Sequence, residues 1–379
     1  MSEYLSTVWP ADPHTLAKHR ILAGYLQAWM PILARNNRDT LFIDGFAGPG
    51  QYEGGEDGSP VIAMNVAIEH VQSFPAPVSF LFIERDKARF ERLVEVIKSQ
   101  QPKIAASPNI RLLPPENGDC EAVIGRLLAD RGAGRRSIGP ILAFLDQFGY
   151  SDVTIDLIAR TMKYPKCEVF SYMDWRFMNA FMTDQNKWPA ITKAFGDESW
   201  KPCIQMRGKA REHEFLKLYI ARLRQAANAK YVWNFAMCGE GGQLLYWLFF
   251  CTNSLKGLEV MKKAMWSVDD KGSFRFSDGD DPNQLALEIM TMADASWLSS
   301  HLHKKFVGTK IRVGAVQEYV LVETPRYLFK DALKILEGDG RIRPILPPGY
   351  KRKKGGFSDE EMEVEFVTPV PKAHQGELF

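Results

Sequence analysis

The sequence is poor in several features that would settle its class at once. It has five cysteines, Cys120, Cys167, Cys203, Cys238 and Cys251, an odd number with no C-x-x-C pair. That excludes a disulfide framework and argues against a structural zinc site, so reduced thiols and a cytoplasmic location are expected, with no metal. Long apolar runs are missing too. The longest, Leu244 to Cys251, is far short of the ~20 residues a membrane helix needs. Met1-Ser2-Glu3-Tyr4 lacks the basic start and apolar stretch of a signal peptide. Net charge is only +2, so the overall balance points to no partner. There is no internal repeat, no G-x-G-x-x-G and no phosphate-loop lysine. What remains is ordinary globular composition, 45% hydrophobic and 25% charged over 379 residues, enough for two or three domains.

The organising stretch is Leu41-Phe42-Ile43-Asp44-Gly45-Phe46-Ala47-Gly48-Pro49-Gly50. A strand runs into a glycine turn, and Ile62 to Ile68 then suits a helix. Strand, glycine loop and helix open a nucleotide-binding α/β sheet. The glycines let backbone approach a ligand that a Cβ would repel. Without the dinucleotide or phosphate-loop signature, the pattern is read as a site for S-adenosylmethionine. Ser59-Pro60 fits an N-cap with proline at the first helical position. A helix N-terminus aimed at the cofactor carboxylate is the sharper reading of the same residues.

Further strands end in acids. Val78 to Glu84 places Glu84 where ribose hydroxyls are held. A short third strand precedes Asn117-Gly118-Asp119, where Asp119 either meets the adenine amino group or caps the next helix. Pro140 to Leu145 is apolar throughout, as in a strand buried on both faces. Asp146 and Tyr150 then stand at the same edge, where Asp146 either holds an acceptor amine beside a sulfonium methyl or caps the helix Val153 to Met162. Methyl transfer needs mainly alignment. Upstream, residues 14–35 form an apolar-striped helix that Thr15 can cap. Lys18 and His19 near its start read either as a solvated helix end or as groups facing substrate. A helix-rich insertion at about 176–229 reads as lying over the active-site edge, where it binds substrate or only covers the sheet. Tyr231–Met237 and Leu244–Thr252 flank a glycine turn as a hairpin, the antiparallel ending of methyltransferase sheets that dinucleotide dehydrogenases lack.

The expected fold is α/β, a Rossmann-like seven-stranded class I methyltransferase sheet spanning 1–266. A linker at 267–284 leads to a winged-helix-like basic domain at 285–379 with a flexible tail. In that part, helices are expected at Leu285–Met292, Trp297–Phe306 and Val313–Val322, and at Tyr327–Leu336 after Thr324-Pro325. Strands are expected around Arg341–Leu346 and Glu363–Val367. From Leu298 to Lys354 there are 13 Lys and Arg against 5 Asp and Glu. Lys351, Arg352, Lys353 and Lys354 at a loop tip are the candidate nucleic-acid contacts. Winged helices also serve as plain protein–protein modules.

On these motifs the chain resembles the three-Cys-motif partner protein family (TcmP). The resemblance rests on the helix around Lys18-His19, on Asp44 to Gly50, on Gly58-Ser59-Pro60, on Phe144-Leu145-Asp146-Gln147-Phe148-Gly149, and on Gly257-Leu258 to Met265-Trp266. It implies a class I methyltransferase-like fold and a partner carrying a three-cysteine motif. In the family a proline usually follows the strand-four aspartate; Gln147 stands here. The combined expectation is an S-adenosylmethionine-dependent methyltransferase acting on nucleic acid. Asp44, Phe46, Gly48, Gly50, Ser59, Glu84 and Asp119 would bind the cofactor, with Asp146 and Tyr150 at the acceptor. The alternative is an inactive cofactor- or partner-binding module with a nucleic-acid-binding winged helix.

Overall fold

The computed structural model describes residues 7–37, 39–70, 74–130, 139–147, 149, 151–239, 241–269, 275–277, 289–346, 349 and 352–368. Tyr150, Phe148 and Lys351 lie outside them, as does most of the expected linker and tail. The chain divides into two compact units, Met1–Asn283 and Gln284–Phe379.

The first unit is a mixed α/β domain. Its strands are β1 (Thr40–Asp44), β2 (Val78–Glu84), β3 (Ile110–Leu112), β4 (Glu116–Asn117), β5 (Ile141–Leu145), β6 (Cys167–Asp174), β7 (Tyr231–Cys238), β8 (Leu244–Thr252) and β9 (Arg275–Ser277). They form one sheet in the order β3-β2-β1-β5-β6-β8-β7-β9, with β4 paired to β2. β1, β2, β3, β5 and β6 run parallel. β8 is antiparallel to both β6 and β7. The hairpin read from the glycine turn is therefore present, inserted with β8 inward. Two strands exceed the expected seven: β4, and β9, which lies in the stretch assigned to a linker and pairs parallel with β7.

Strand periodicity decides the two faces. Phe42, Phe80, Phe82, Leu142, Phe144 and Phe170 project to one side. There they meet α1 (Pro13–Ala34), α2 (Ser59–Ile68), α3 (Lys87–Ala106) and α9 (Leu255–Trp266). Leu41, Ile43, Leu81, Ile83, Ile141, Ala143 and Leu145 project to the other. They meet α4 (Cys120–Asp130), α5 (Ile155–Met162), α7 (Trp188–Phe195) and α8 (Gly208–Ala226). Five of the phenylalanines on the first face are at most 1% exposed, and burying each contributes about 1.5–3 kcal/mol. Phe195, Trp200, Phe215 and Tyr219 join the second core, so the helical stretch covers a sheet face, one of its two readings. None of the helices among the described residues is long and apolar enough to cross a membrane.

The second unit contains α10 (Ile289–Phe306), β10 (Lys310–Arg312), α11 (Val313–Glu323), α12 (Phe329–Gly338), β11 (Ile342–Ile345) and β12 (Glu363–Phe366). The sheet order is β10-β12-β11, antiparallel throughout. Leu298, Leu302, Val316, Val320, Leu333, Val364 and Phe366 form its core. α10 is one helix where two were expected, and β10 was not expected at all. Thr324-Pro325 does not begin a helix. The Thr324 hydroxyl donates to the Val320 carbonyl at 2.8 Å and accepts from Arg326 N at 3.1 Å, closing α11.

Candidate functional site

β1 leads through β2 to β3 on one side of the sheet, and β5 and β6 extend it on the other. The strand order thus reverses between β1 and β5, and such a switch point opens a crevice at the carboxyl ends of the strands. Asp44 ends β1 and Asp146 follows β5, the two adjacent strands at that switch point. Glu84 ends β2 beside it. These are the three strand-end acids singled out in the sequence, and they share one electrostatic environment. Burial lifts the Asp44 carboxyl from 3.8 to about 7, and the negative charges of Asp146 and Glu84 add to the rise. Phe46 N donates to Asp44 Oδ1 at 3.2 Å. Asp44 Oδ2 is buried with no partner in hydrogen-bond geometry, although the Ser59 hydroxyl is close enough to oppose the pKa rise. Ser59 is free for this because it is not the cap: Gly58 holds the N-cap position of α2, and Ser59 begins the helix.

The glycine loop is shaped by close approach. A Cβ on Gly45 would lie 2.5 Å from Cys120 Sγ and 2.9 Å from Leu145 Cδ2. Gly48 and Gly50 have φ of +60° and +82°, values that favour glycine. Gly48 N donates to Glu84 Oε2 at 2.9 Å, and Asp86 N donates to Oε1 at 2.7 Å. Both oxygens of the expected ribose ligand are therefore engaged with backbone amides, each retaining a second lone pair. Burial raises the Glu84 pKa, while these amides oppose the rise. Phe46, expected at the cofactor, packs against the core on the α4–α5 face. Asp119 is exposed, and its Oδ1 accepts from Ala122 N at 3.0 Å, the capping use of the two readings. Gly118 N donates to the Glu84 carbonyl, which keeps Asp119 on the same edge.

Two residues left open between two readings, and a third that the sequence did not single out, Trp9, complete the site. Lys18 and His19 are buried, not a solvated helix end. Lys18 Nζ forms an ion pair with Asp146 Oδ2, the carboxylate expected to meet the acceptor. His19 is held neutral: burial, then the Lys18 charge, lowers its pKa from 6.5 to about 3. Trp9 is also buried; its ring carbon Cη2 would lie 3.8 Å from a Cβ on Gly48. Its indole meets Tyr52 edge-on at 5.9 Å and carries the Arg89 guanidinium at 4.9 Å. The register of the early apolar residues foretold α1, but nothing in it placed Lys18 against a residue so far along the chain. Gln147 sits where the resembled family has proline. Its Oε1 accepts from Asp152 N at 2.7 Å and Val153 N at 2.9 Å, bracing the chain after Asp146. Thr154, rather than Asp146, caps α5.

In the second unit Arg352 is not a free cation. It pairs with Glu337, whose Oε2 also accepts from Gly355 N at 2.8 Å. Lys353 and Lys354 are exposed. The basic window is balanced by acids outside it. From Gln284 to Phe379 there are 14 Lys and Arg against 13 Asp and Glu. On the sheet, Glu365 lies between Lys310 and Arg343, and Glu363 faces Arg312.

No protein-family model and no curated protein sequence matches this chain. Several solved structures are similar in fold at low superposition scores. One is described as a possible exported protein from Bordetella parapertussis, at 11% identity and a TM-score of 0.31, covering 64% of this chain and 70% of that one. A DUF574 family protein from Streptomyces avermitilis has 12% identity and a TM-score of 0.29 over 62% of this chain and 83% of its own. A precorrin-6Y C5,15-methyltransferase from Geobacter metallireducens has 12% identity and a TM-score of 0.24 over 60% and 87%. The candidate site stands on its own strand order and side chains.

Proposed function

We propose that the first unit binds S-adenosylmethionine across the carboxyl ends of β1, β2 and β5 and transfers its methyl group to an acceptor nitrogen beside Asp146. The observation that carries this reading is the gathering of Asp44, Glu84 and Asp146 at the switch point under a glycine loop. The orphaned, buried Asp44 Oδ2 suits an ammonium or N–H donor from the cofactor's methionine end. The positive-φ glycines leave backbone where a side chain would intrude, and Glu84 has lone pairs left for ribose hydroxyls. Bound, the cofactor would supply an electrophilic methyl and leave as the neutral thioether, with the acceptor's N–H proton passing to solvent. Lys18 balances the charge of Asp146 and fixes its direction. Asp146 then accepts a hydrogen bond from the acceptor N–H and turns the lone pair toward the methyl.

The finer parts of the reading are a nucleic-acid substrate, a winged-helix role for the second unit with Lys351, Lys353 and Lys354 toward phosphates, and a three-Cys-motif partner. Exposed Lys353 and Lys354 support the second of these. Equilibrium binding of S-adenosylmethionine to the wild type, Asp44→Ala and Glu84→Ala tests the cofactor site; equal affinity in all three overturns it.

A second reading is a module that binds cofactor or partner without transferring a methyl. Three observations favour it: Lys18 already occupies the acceptor carboxylate, backbone amides engage both Glu84 oxygens, and Trp9 lies over Gly48. Transfer of labelled methyl to mixed DNA, RNA and protein separates the readings.

A further inference from the structure

A second cavity opens at the other edge of the sheet, near the amino ends of β1 and β6. Its volume is about 250 Å³, just under the roughly 300–1,000 Å³ of drug-sized pockets, so it suits a metabolite-sized ligand. Its walls are apolar or aromatic, from Tyr25, Trp29 and Leu33 on α1 and Val260 on α9. Glu168 lines it as well. That carboxyl is 4% exposed and fixed in place: Oε2 accepts from the Tyr25 hydroxyl and Oε1 from the Thr252 hydroxyl, each at 2.6 Å. Trp29 Nε1–H is buried with no acceptor in hydrogen-bond geometry, although it lies near enough to Glu168 to affect its titration. Gly257 completes the wall, where a Cβ would run into Glu168 Oε1.

The mouth has the opposite character. Lys166 and Lys256 line it and are exposed. Lys166 bonds Asn37 Oδ1 at 2.9 Å, and Lys256 pairs with Glu259 at 3.2 Å. Exposed contacts of this kind contribute little and exchange readily for a better partner. The cavity thus runs from a buried N–H donor and carboxyl acceptor, through an aromatic and aliphatic waist, to two cations.

We propose that this cavity binds a small aromatic acid bearing a phenol-type hydroxyl. The hydroxyl oxygen accepts from Trp29 Nε1–H and its proton is donated to Glu168, one group satisfying both ends of the floor. The ring fills the apolar waist. The carboxylate sits at the mouth between Lys166 and Lys256. A cationic counterpart would meet the lysines unfavourably.

The test uses the full chain and three probes, 4-hydroxyphenylacetate, phenylacetate and tyramine, followed by ligand-observed NMR and calorimetry. 4-Hydroxyphenylacetate is expected to saturate at sub-millimolar concentration. Phenylacetate, which leaves the Trp29 N–H without an acceptor, is expected to bind about tenfold more weakly. Tyramine is expected to bind more weakly than either. Val260→Trp, which fills the waist, should abolish binding, and Lys166→Gln with Lys256→Gln should weaken it about fivefold. The proposal is overturned if 4-hydroxyphenylacetate shows no saturable binding at millimolar concentration. It is equally overturned if tyramine binds as well, or if Val260→Trp, folded by circular dichroism, binds unchanged. Cofactor affinity does not enter these readouts.

Discussion

Replacing Asp44 with asparagine tests the electrostatics of the crevice most directly. The side chain is fully buried, and loss of hydration lifts its pKa from 3.8 to about 7, aided by Asp146 and Glu84. Three powers of ten in proton affinity correspond to about 4 kcal/mol. Because the folded chain holds this proton more tightly than the unfolded chain, folding takes up a proton between pH 3.8 and about 7. Stability therefore falls as pH rises through that window, and the full cost is present above it. An asparagine side chain has nearly the same shape and no charge to desolvate. Asp44→Asn should therefore match the wild type near pH 4 and exceed it by up to about 4 kcal/mol at pH 8. Eight of the nine tryptophans precede residue 284, so tryptophan fluorescence in urea reports mainly the first unit. The burial of Glu84 and Glu168 also raises their pKa values, which contributes a similar slope to both proteins and cancels in the difference. Parallel stability–pH curves for wild type and variant would refute the reasoning. The same pKa predicts that binding an ammonium group at Asp44 near pH 6 releases protons. Calorimetry in buffers of different ionisation enthalpy measures that release.

Other outcomes follow from the packing. Lys18→Met leaves Asp146 unpaired at 18% exposure, and should cost toward the lower end of the ~3–5 kcal/mol typical of breaking buried pairs. Lys18→Met with Asp146→Leu should recover most of that loss in urea unfolding, and equal loss in single and double variants counts against a buried pair. Gly45→Ala places a methyl against Cys120 and Leu145, so destabilisation of about 1–3 kcal/mol is expected. Gly338→Ala, in the second unit, meets nothing within 4 Å and should stay within about 0.5 kcal/mol in urea unfolding followed by far-UV circular dichroism, which reports both units. Glu337→Ala releases Arg352 and the Gly355 amide. Limited trypsinolysis at Lys353 and Lys354 should accelerate about tenfold, reflecting easier local opening, and an unchanged cleavage rate would show that Glu337 does not hold the loop.

Much of the first unit was legible because its information is local. Alternating strands, acids at their ends and a glycine loop each declare themselves within ten residues. The antiparallel β7–β8 pair was readable from its turn. Helix starts were less secure, since Thr15, Ser59 and Thr324 all fit the composition of a cap. In the structure Asp12 and Gly58 hold the N-cap positions of α1 and α2, and Thr324 closes a helix instead of opening one. The basic window of the second unit could be counted in the sequence, but its neighbours could not. Glu363 and Glu365 of β12 are brought beside Lys310, Arg312 and Arg343 only by sheet register.

The sequence by itself determined the α/β character of the first unit, the antiparallel β7–β8 pair, and which acids stand at strand ends. Backbone preference and side-chain alternation act between neighbours, so they can be read in one dimension. Tertiary structure alone decided what those acids meet: Lys18 against Asp146, backbone amides on Glu84, an orphaned oxygen on Asp44, and Trp9 above Gly48. It also made the Glu168 cavity, whose parts come from α1, β6 and α9. Charges and cavities depend on which distant segments exclude water together, and that is settled only when the chain has folded.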